Sequence, residues 1–297
     1  MGNCLVTKLG AVVNNDALLP LGKIRMTFAI SAANTDVLMP ALKVNEATIL
    51  TITGNATWKA DQSHITYIDE TYKQIKLQAN HTYTSAIRAT TGNVSSGSFT
   101  VDIENKYALT TFSSNGNGGP WDLEIFEYST DLTTLGGTAQ TDLGGNIIYL
   151  SGLTALENIL VSASSVTDAL QGDISVFANM PDLKVVTLQR NSALYGDISA
   201  FSAATDLEDL NFRYCTKIYG NIETLGSLTS LEYLRLQNTH ASGNLNTLLD
   251  DLHTAGKESG TLTVICPGSD IDYTGTKNVK EEGIVFTFSE NGWTENE

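Results

Sequence analysis

A chain of 297 residues, 41% of them hydrophobic, has material for one large or two medium domains with packed cores, and no stretch approaches the ~20 apolar residues that span a bilayer. The net charge of −16 is unevenly divided: residues 1–106 hold 9 Lys/Arg against 8 Asp/Glu, net +1, while residues 107–297 hold 8 against 25, net −17. Such an acidic field excludes nucleic acid and anionic membrane surfaces as partners and leaves a solvated surface or a cationic partner.

Taken in order, the opening Met1–Lys8 lacks an apolar run behind a basic segment, so no secretory signal is expected. Gly2 with Cys4 resembles an acylated terminus, but Val6 stands where the hydroxyl residue belongs. An arm with a turn around Asn14-Asn15-Asp16 leads to short alternating runs at 23–30, 47–53, 73–77, 83–89 and 98–103, separated by turn signals such as Gly54-Asn55 and Gly92-Asn93. Several short strands at this spacing predict a small antiparallel sandwich or barrel, a β-sandwich-like module over 1–106. Its last strand is expected to run into the next domain and cap its open end. The glycine-rich Ser113–Pro120 has no lysine behind its glycines and predicts a long loop rather than a phosphate cradle.

From Leu109 the chain repeats. Leu156-Glu-Asn-Ile159-Leu-Val161, Leu183-Lys-Val-Val186-Thr-Leu188, Leu207-Glu-Asp-Leu210-Asn-Phe212 and Leu231-Glu-Tyr-Leu234-Arg-Leu236 share the form Leu-x-x-apolar-x-apolar, with first leucines 27, 24 and 24 residues apart. Three residues beyond each stands Ser164, Asn191, Cys215 or Thr239, small polar side chains suited to an internal ladder. A Gly-Asp/Asn-Ile unit returns at 145–147, 172–174, 196–198 and 220–222, and Gly243-Asn-Leu245 closes the series. Weaker copies start at Leu109, with Phe112, and at Leu132, where Leu135 fits and Gly137 departs. Beyond them Leu245, Leu248, Leu249 and Leu252 mark one face of a helix capped by Asn244 or Asn246 and followed by Gly256. Strands at 261–265, stopped by Pro267-Gly268, and at 284–288, with a short helix at 277–282 between them, complete the expectation.

A fixed period near 24 with this pattern resembles the leucine-rich repeats. The Gly-Asp/Asn-Ile unit is similar to the Gly-x-Ile element of the plant type, without the proline usual after it. The resemblance covers about half the chain and implies a solenoid, in which one coil cannot bury its own apolar face and so stacks on the next. The fold expected is mostly β, α+β only at the C-terminal cap: a module over 1–106, a solenoid over 107–244 and a cap over 245–297.

No residue set carries catalysis. His64, His81, His240 and His253 lie far apart in sequence and lack metal-ligand spacing, and the carboxylates read as surface charges. Asp173 and Asp197 give way to Asn221 and Asn244 at the same repeat position, which favours turn capping over calcium. No catalytic residue, metal or cofactor is therefore expected. Cys4, Cys215 and Cys266 form no disulfide framework and suit a reducing compartment, with Cys215 a buried thiol. Binding is expected on the concave strand face, whose outward columns are Asn158, Val185, Asp209, Tyr233; Leu160, Thr187, Asn211, Arg235; and Ser162, Gln189, Arg213, Gln237. Tyr233 with Arg213 and Arg235 has the composition of an interface hot spot, and the ligand-binding set expected is Asn158, Gln189, Asp209, Asn211, Arg213, Tyr233, Arg235 and Gln237. Asn211 and Arg235 are expected to be exposed beside a buried Leu210 and Leu234.

Cys4–Leu9, Val12–Asp16, Thr51-Ile-Thr-Gly-Asn55 and Asn105-Lys-Tyr-Ala-Leu109 leading into Gly-Asp-Ile repeats are similar in style to proteins of crAss-like phages of gut Bacteroidota. That resemblance implies a virion structural protein, capsid- or fibre-associated and made in the host cytoplasm. It would dock on other virion proteins through residues 1–106, homo-oligomers included, and offer its repeats to a host-surface or mucosal ligand. The alternative is a bacterial leucine-rich-repeat adhesin or interaction module at the cell surface.

Overall fold

The structure is a computed structural model that describes residues 23–30, 36–60, 64–68, 71–83, 87–91, 97–113, 121–136, 143–163, 170–272, 284–289 and 295–296. The turn at Asn14–Asp16, Cys4, most of the Ser113–Pro120 loop, Gly137, Ser164 and the helix expected at 277–282 lie outside the described residues. The chain divides into two compact units, Met1–Leu143 and Gly144–Glu297.

The first unit opens with antiparallel strands, as its alternation predicts. Five of them run in the order Ile24–Ile30, Gly97–Ile103, Thr48–Gly54, Gln74–Leu77, Ile65–Tyr67. Asp36–Leu38, Ile87–Thr91 and Ala56–Ala60 make a three-stranded sheet, and Gly54 at φ 108° turns the chain from the five-stranded sheet into Ala56–Ala60. Ile24, Met26 and Phe28 are all buried on one face, and Phe28 stacks on Phe99 at 5.0 Å between ring centres.

The two weak repeat copies are real coils. Leu109–Ser113 pairs in parallel with Thr134–Gly136, placing Phe112 beside Leu135, and Leu109, Phe112, Leu132 and Leu135 are all buried. One expectation is corrected here. The strand at 97–103 does not pair with the first repeat strand; Ala41–Val44 does, antiparallel, with Thr82–Tyr83 beyond it. Leu42 and Val44 are fully buried, so a short strand with two inward side chains closes that edge. Trp121 fills the space behind, edge-on to Phe28 at 5.5 Å and to Phe112 at 5.9 Å.

The second unit is a parallel-strand solenoid. Its front strands are Asn158–Leu160, Val185–Thr187, Asp209–Asn211, Tyr233–Arg235, Gly260–Ile265 and Ile284–Ser289, each parallel to the next. Its back strands are Leu143–Asn146, Leu170–Asp173, Ala193–Asp197, Lys217–Asn221, His240–Asn244 and Asp270–Asp272. All twelve apolar positions of the four strong repeats are at 0% exposure, so the stack buries what one coil cannot.

Two devices join coil to coil. The first is the ladder. Asn191 donates from Nδ2 to the carbonyls of Val161 and Leu188, each at 2.9 Å, and accepts from the Leu170 amide at 3.0 Å. The Cys215 thiol donates to the Leu188 carbonyl of the coil before at 3.1 Å, whereas Thr239 donates within its own coil, to the Leu236 carbonyl at 2.7 Å. The second is the Gly-Asp/Asn-Ile unit. Oδ1 of Asp173 accepts from the Ser175 amide at 2.9 Å and Oδ1 of Asp197 from the Ser199 amide at 2.8 Å, with Asn146 and Asn221 doing the same, each opening a short 3₁₀ turn. This is the capping role expected of the Asp/Asn exchange. The glycines before them take φ values from 104° to 132°.

At the C-terminal end Asn244, not Asn246, caps the helix Leu245–Thr254, whose Leu245, Leu248, Leu249 and Leu252 are buried. The helix takes the place of a 3₁₀ turn. The chain then returns through Gly260–Ile265 and, past Pro267-Gly268, through Asp270–Asp272, so the segment read as a cap contains a further coil.

Candidate functional site

The strand register brings the predicted columns together. Asn158, Val185, Asp209 and Tyr233 are successive partners across the front strands, and so are Leu160, Thr187, Asn211 and Arg235. In the third column the Arg213 side chain donates from Nε to Gln237 Oε1 at 3.1 Å. Asn158 and Gln189 are half-buried toward the earlier coils.

The polar groups of this face are locked into one another. Arg235 Nη1 donates to both carboxylate oxygens of Asp209 at 2.6 Å, and its guanidinium lies 4.5 Å from the centre of the Tyr233 ring. The two side chains retain only 22% and 20% exposure. Loss of water raises the Asp209 carboxyl above the ordinary aspartate range, against the lowering effect of the Arg235 bond and charge. Tyr233, 37% exposed, is the large apolar surface of the cluster.

Two expectations are corrected. Asn211 is 6% exposed, not open to solvent, because its side chain folds along the strand and its Oδ1 accepts from the Arg213 amide at 3.2 Å. Arg235 is drawn down by Asp209 and Tyr233 and is half-buried. Leu210 and Leu234 are at 0%, as predicted.

Three further features lie outside the expected set. His64 and His81, 17 residues apart, stack with ring centres 4.1 Å apart, because Tyr83 beneath them donates to the His64 carbonyl at 2.8 Å and accepts from the Gln78 amide at 2.7 Å. Among the described residues no group of three or more His, Cys, Asp and Glu is placed to hold a metal ion, there or elsewhere. On the back sheet Tyr195 and Tyr219 are 48% and 51% exposed in successive coils, a recurrence visible as the residue before Gly196 and Gly220. At the end of the front strands Arg190 and Tyr214 hold positive φ, which nothing in their residue types announces.

No family model and no curated protein matches the chain. Among solved structures, the chain is similar to an internalin from Listeria monocytogenes at 16% identity and a TM-score of 0.22, over 57% of this chain. It spans 65% of that chain's length. The solenoid stands on the parallel register of its own strands. No helix among the described residues is long and apolar enough to cross a membrane.

Proposed function

We propose that the chain is a non-catalytic recognition protein whose front sheet binds a protein ligand. The observation that carries this reading is the interlocked cluster of Tyr233, Arg235 and Asp209 beside Arg213 and Gln237. Tyr and Arg are the side chains that most often anchor interfaces. A face whose side chains are already held loses little rotamer freedom on binding, so more of its contact energy becomes affinity.

For its setting we propose a phage virion structural protein, capsid- or fibre-associated, as the resemblance to crAss-like phage proteins implies. Residues 1–106, near neutral at net +1, would dock on other virion proteins or on copies of the chain, and the acidic repeats, net −17 over 107–297, would face a host-surface or mucosal ligand. The same front face would serve a bacterial surface adhesin, which is the second reading.

The test uses full-length protein with Tyr233→Ala, Arg235→Ala and, on the back sheet, Tyr219→Ala. Loss of host-cell binding in the first two and not in the third is expected. Loss with Tyr219→Ala alone sinks the front-face assignment. Immunogold labelling of purified particles against intact bacteria separates the virion from the adhesin.

A further inference from the structure

Three of the five arginines in the chain, Arg190, Arg213 and Arg235, fall in successive coils at the C-terminal ends of the front strands. Just past those ends Arg190, Tyr214 and Asn238 occupy one equivalent turn position, with φ of 65°, 65° and 54°. Their backbones form a ladder: the amides of Arg190, Tyr214 and Asn238 donate to the carbonyls of Arg213, Gln237 and Pro267, each at 2.8 Å. Asparagine or glycine takes this left-handed conformation at least cost, and Asn238 conforms. Arg190 and Tyr214 do not. Two adjacent coils hold a large side chain where the backbone favours a small one, and such strain clusters where the side chain itself is needed.

The side chains meet. The Arg190 and Arg213 guanidiniums stand 5.4 and 5.7 Å from the centre of the one Tyr214 ring. Among the described residues neither is ion-paired with a carboxylate, whereas Arg235 is taken by Asp209. Arg213 spends its Nε on Gln237 and keeps its terminal Nη groups, and two guanidiniums ranged about one aromatic ring suit a planar, singly charged oxyanion, which a guanidinium engages through paired N–H groups. The surrounding half, net −17, repels a polyanion, so the charge must arrive singly, on a neutral or basic partner.

We propose that Arg190, Arg213 and Tyr214 form a receptor for one carboxylate, the side chain of a glutamate or aspartate on the protein partner. This rests on the front-face reading above and names the chemistry that reading leaves open. With only five arginines, the Nε–H region of an NMR spectrum of the full chain is simple enough to report on each. The probes are acetyl-Ala-Glu-Ala-amide, its glutamine counterpart and inorganic sulfate. The glutamate peptide is expected to shift the Arg190 and Arg213 signals saturably while Arg235 stays in place. The response should fall roughly tenfold or more with the glutamine peptide and in Arg190→Gly and Arg213→Gln. Arg190→Gly should melt at or above the parent temperature, since glycine suits the turn. Equal response to the glutamine peptide, stronger response to sulfate, or no response overturns the assignment. So does a lower melting temperature for Arg190→Gly, which would make Arg190 a residue of the fold. If the peptides fail while Tyr233→Ala and Arg235→Ala still abolish host-cell binding, the front-face reading stands and the carboxylate receptor alone falls.

Discussion

Arg235 reaches back one coil and holds Asp209 through a single nitrogen, Nη1 donating to both carboxylate oxygens at 2.6 Å. The carboxyl is nonetheless raised above its ordinary value, because what it loses in hydration exceeds what the arginine returns. The pair fixes geometry more than it adds stability.

Arg235→Ala should leave Asp209 stranded and raise its carboxyl further. A folded-state value above the unfolded one means that the native protein takes up the proton first, so stability missing at neutral pH returns as the pH falls through the folded value. Urea unfolding from about pH 7 down to about pH 4 should show the deficit of Arg235→Ala narrowing. A deficit that stays constant across that range would show that Asp209 is not the group left behind.

Leu210 and Asn211 are neighbours with different tasks. Leu210→Ala removes a fully buried side chain and should cost about 2–5 kcal/mol. Asn211→Ala removes one acceptor from the Arg213 amide and should cost about 1 kcal/mol. Thermal melts compare them directly, and equal shifts would mean that the strand is turned by one residue.

Gly196 has φ 132°, and a Cβ there would meet Asp173 Oδ1 at 2.7 Å and Ile174 Cγ1 at 2.7 Å. Gly152 has nothing within 4 Å of such a Cβ. Gly196→Ala should therefore cost about 1–3 kcal/mol, while Gly152→Ala should stay within about 0.5 kcal/mol of the parent. Matching denaturation midpoints for the two would remove the glycine from the coil joint.

Asp36 accepts from the Thr90 hydroxyl at 2.6 Å, and this bond, with the nearby Lys59 and Arg88, holds its carboxyl below the ordinary value despite some loss of hydration. Its stabilising contribution is present above the unfolded value and is lost as the pH falls through the lower folded value. The stability gap between the parent and Asp36→Asn should be open at neutral pH and close in that acidic window. A gap that widens on acidification would reverse the sign of the interaction.

The repeats were legible because their physics is periodic. Leu210 and Leu234 must face inward wherever coils stack, and Asp173 and Asp197 sit where a turn needs an acceptor. The first coil hid its cap, since Trp121-Asp122-Leu123 replaces the glycine with a tryptophan that fills space between Phe28 and Phe112. Ala41–Val44 escaped because a four-residue edge strand carries too little alternation to stand out, and Asp270–Asp272 because a back strand needs only Ile271 inward. In the site, the columns followed from the register, but the burial of Asn211 depended on a side-chain bond within its own strand. The stack of His64 on His81 is set by a tertiary meeting of two turns, which no local pattern encodes.

Between coils, the cap oxygen of Asn146, Asp173, Asp197 or Asn221 always meets the next glycine, Gly172, Gly196, Gly220 or Gly243. The joint has the same chemistry at each of these levels. Adding or deleting a whole coil would thus leave a seam of the same kind, an Asp or Asn oxygen against a glycine. Reach, measured in coils, is therefore the property of this fold that can change without a new kind of contact between coils.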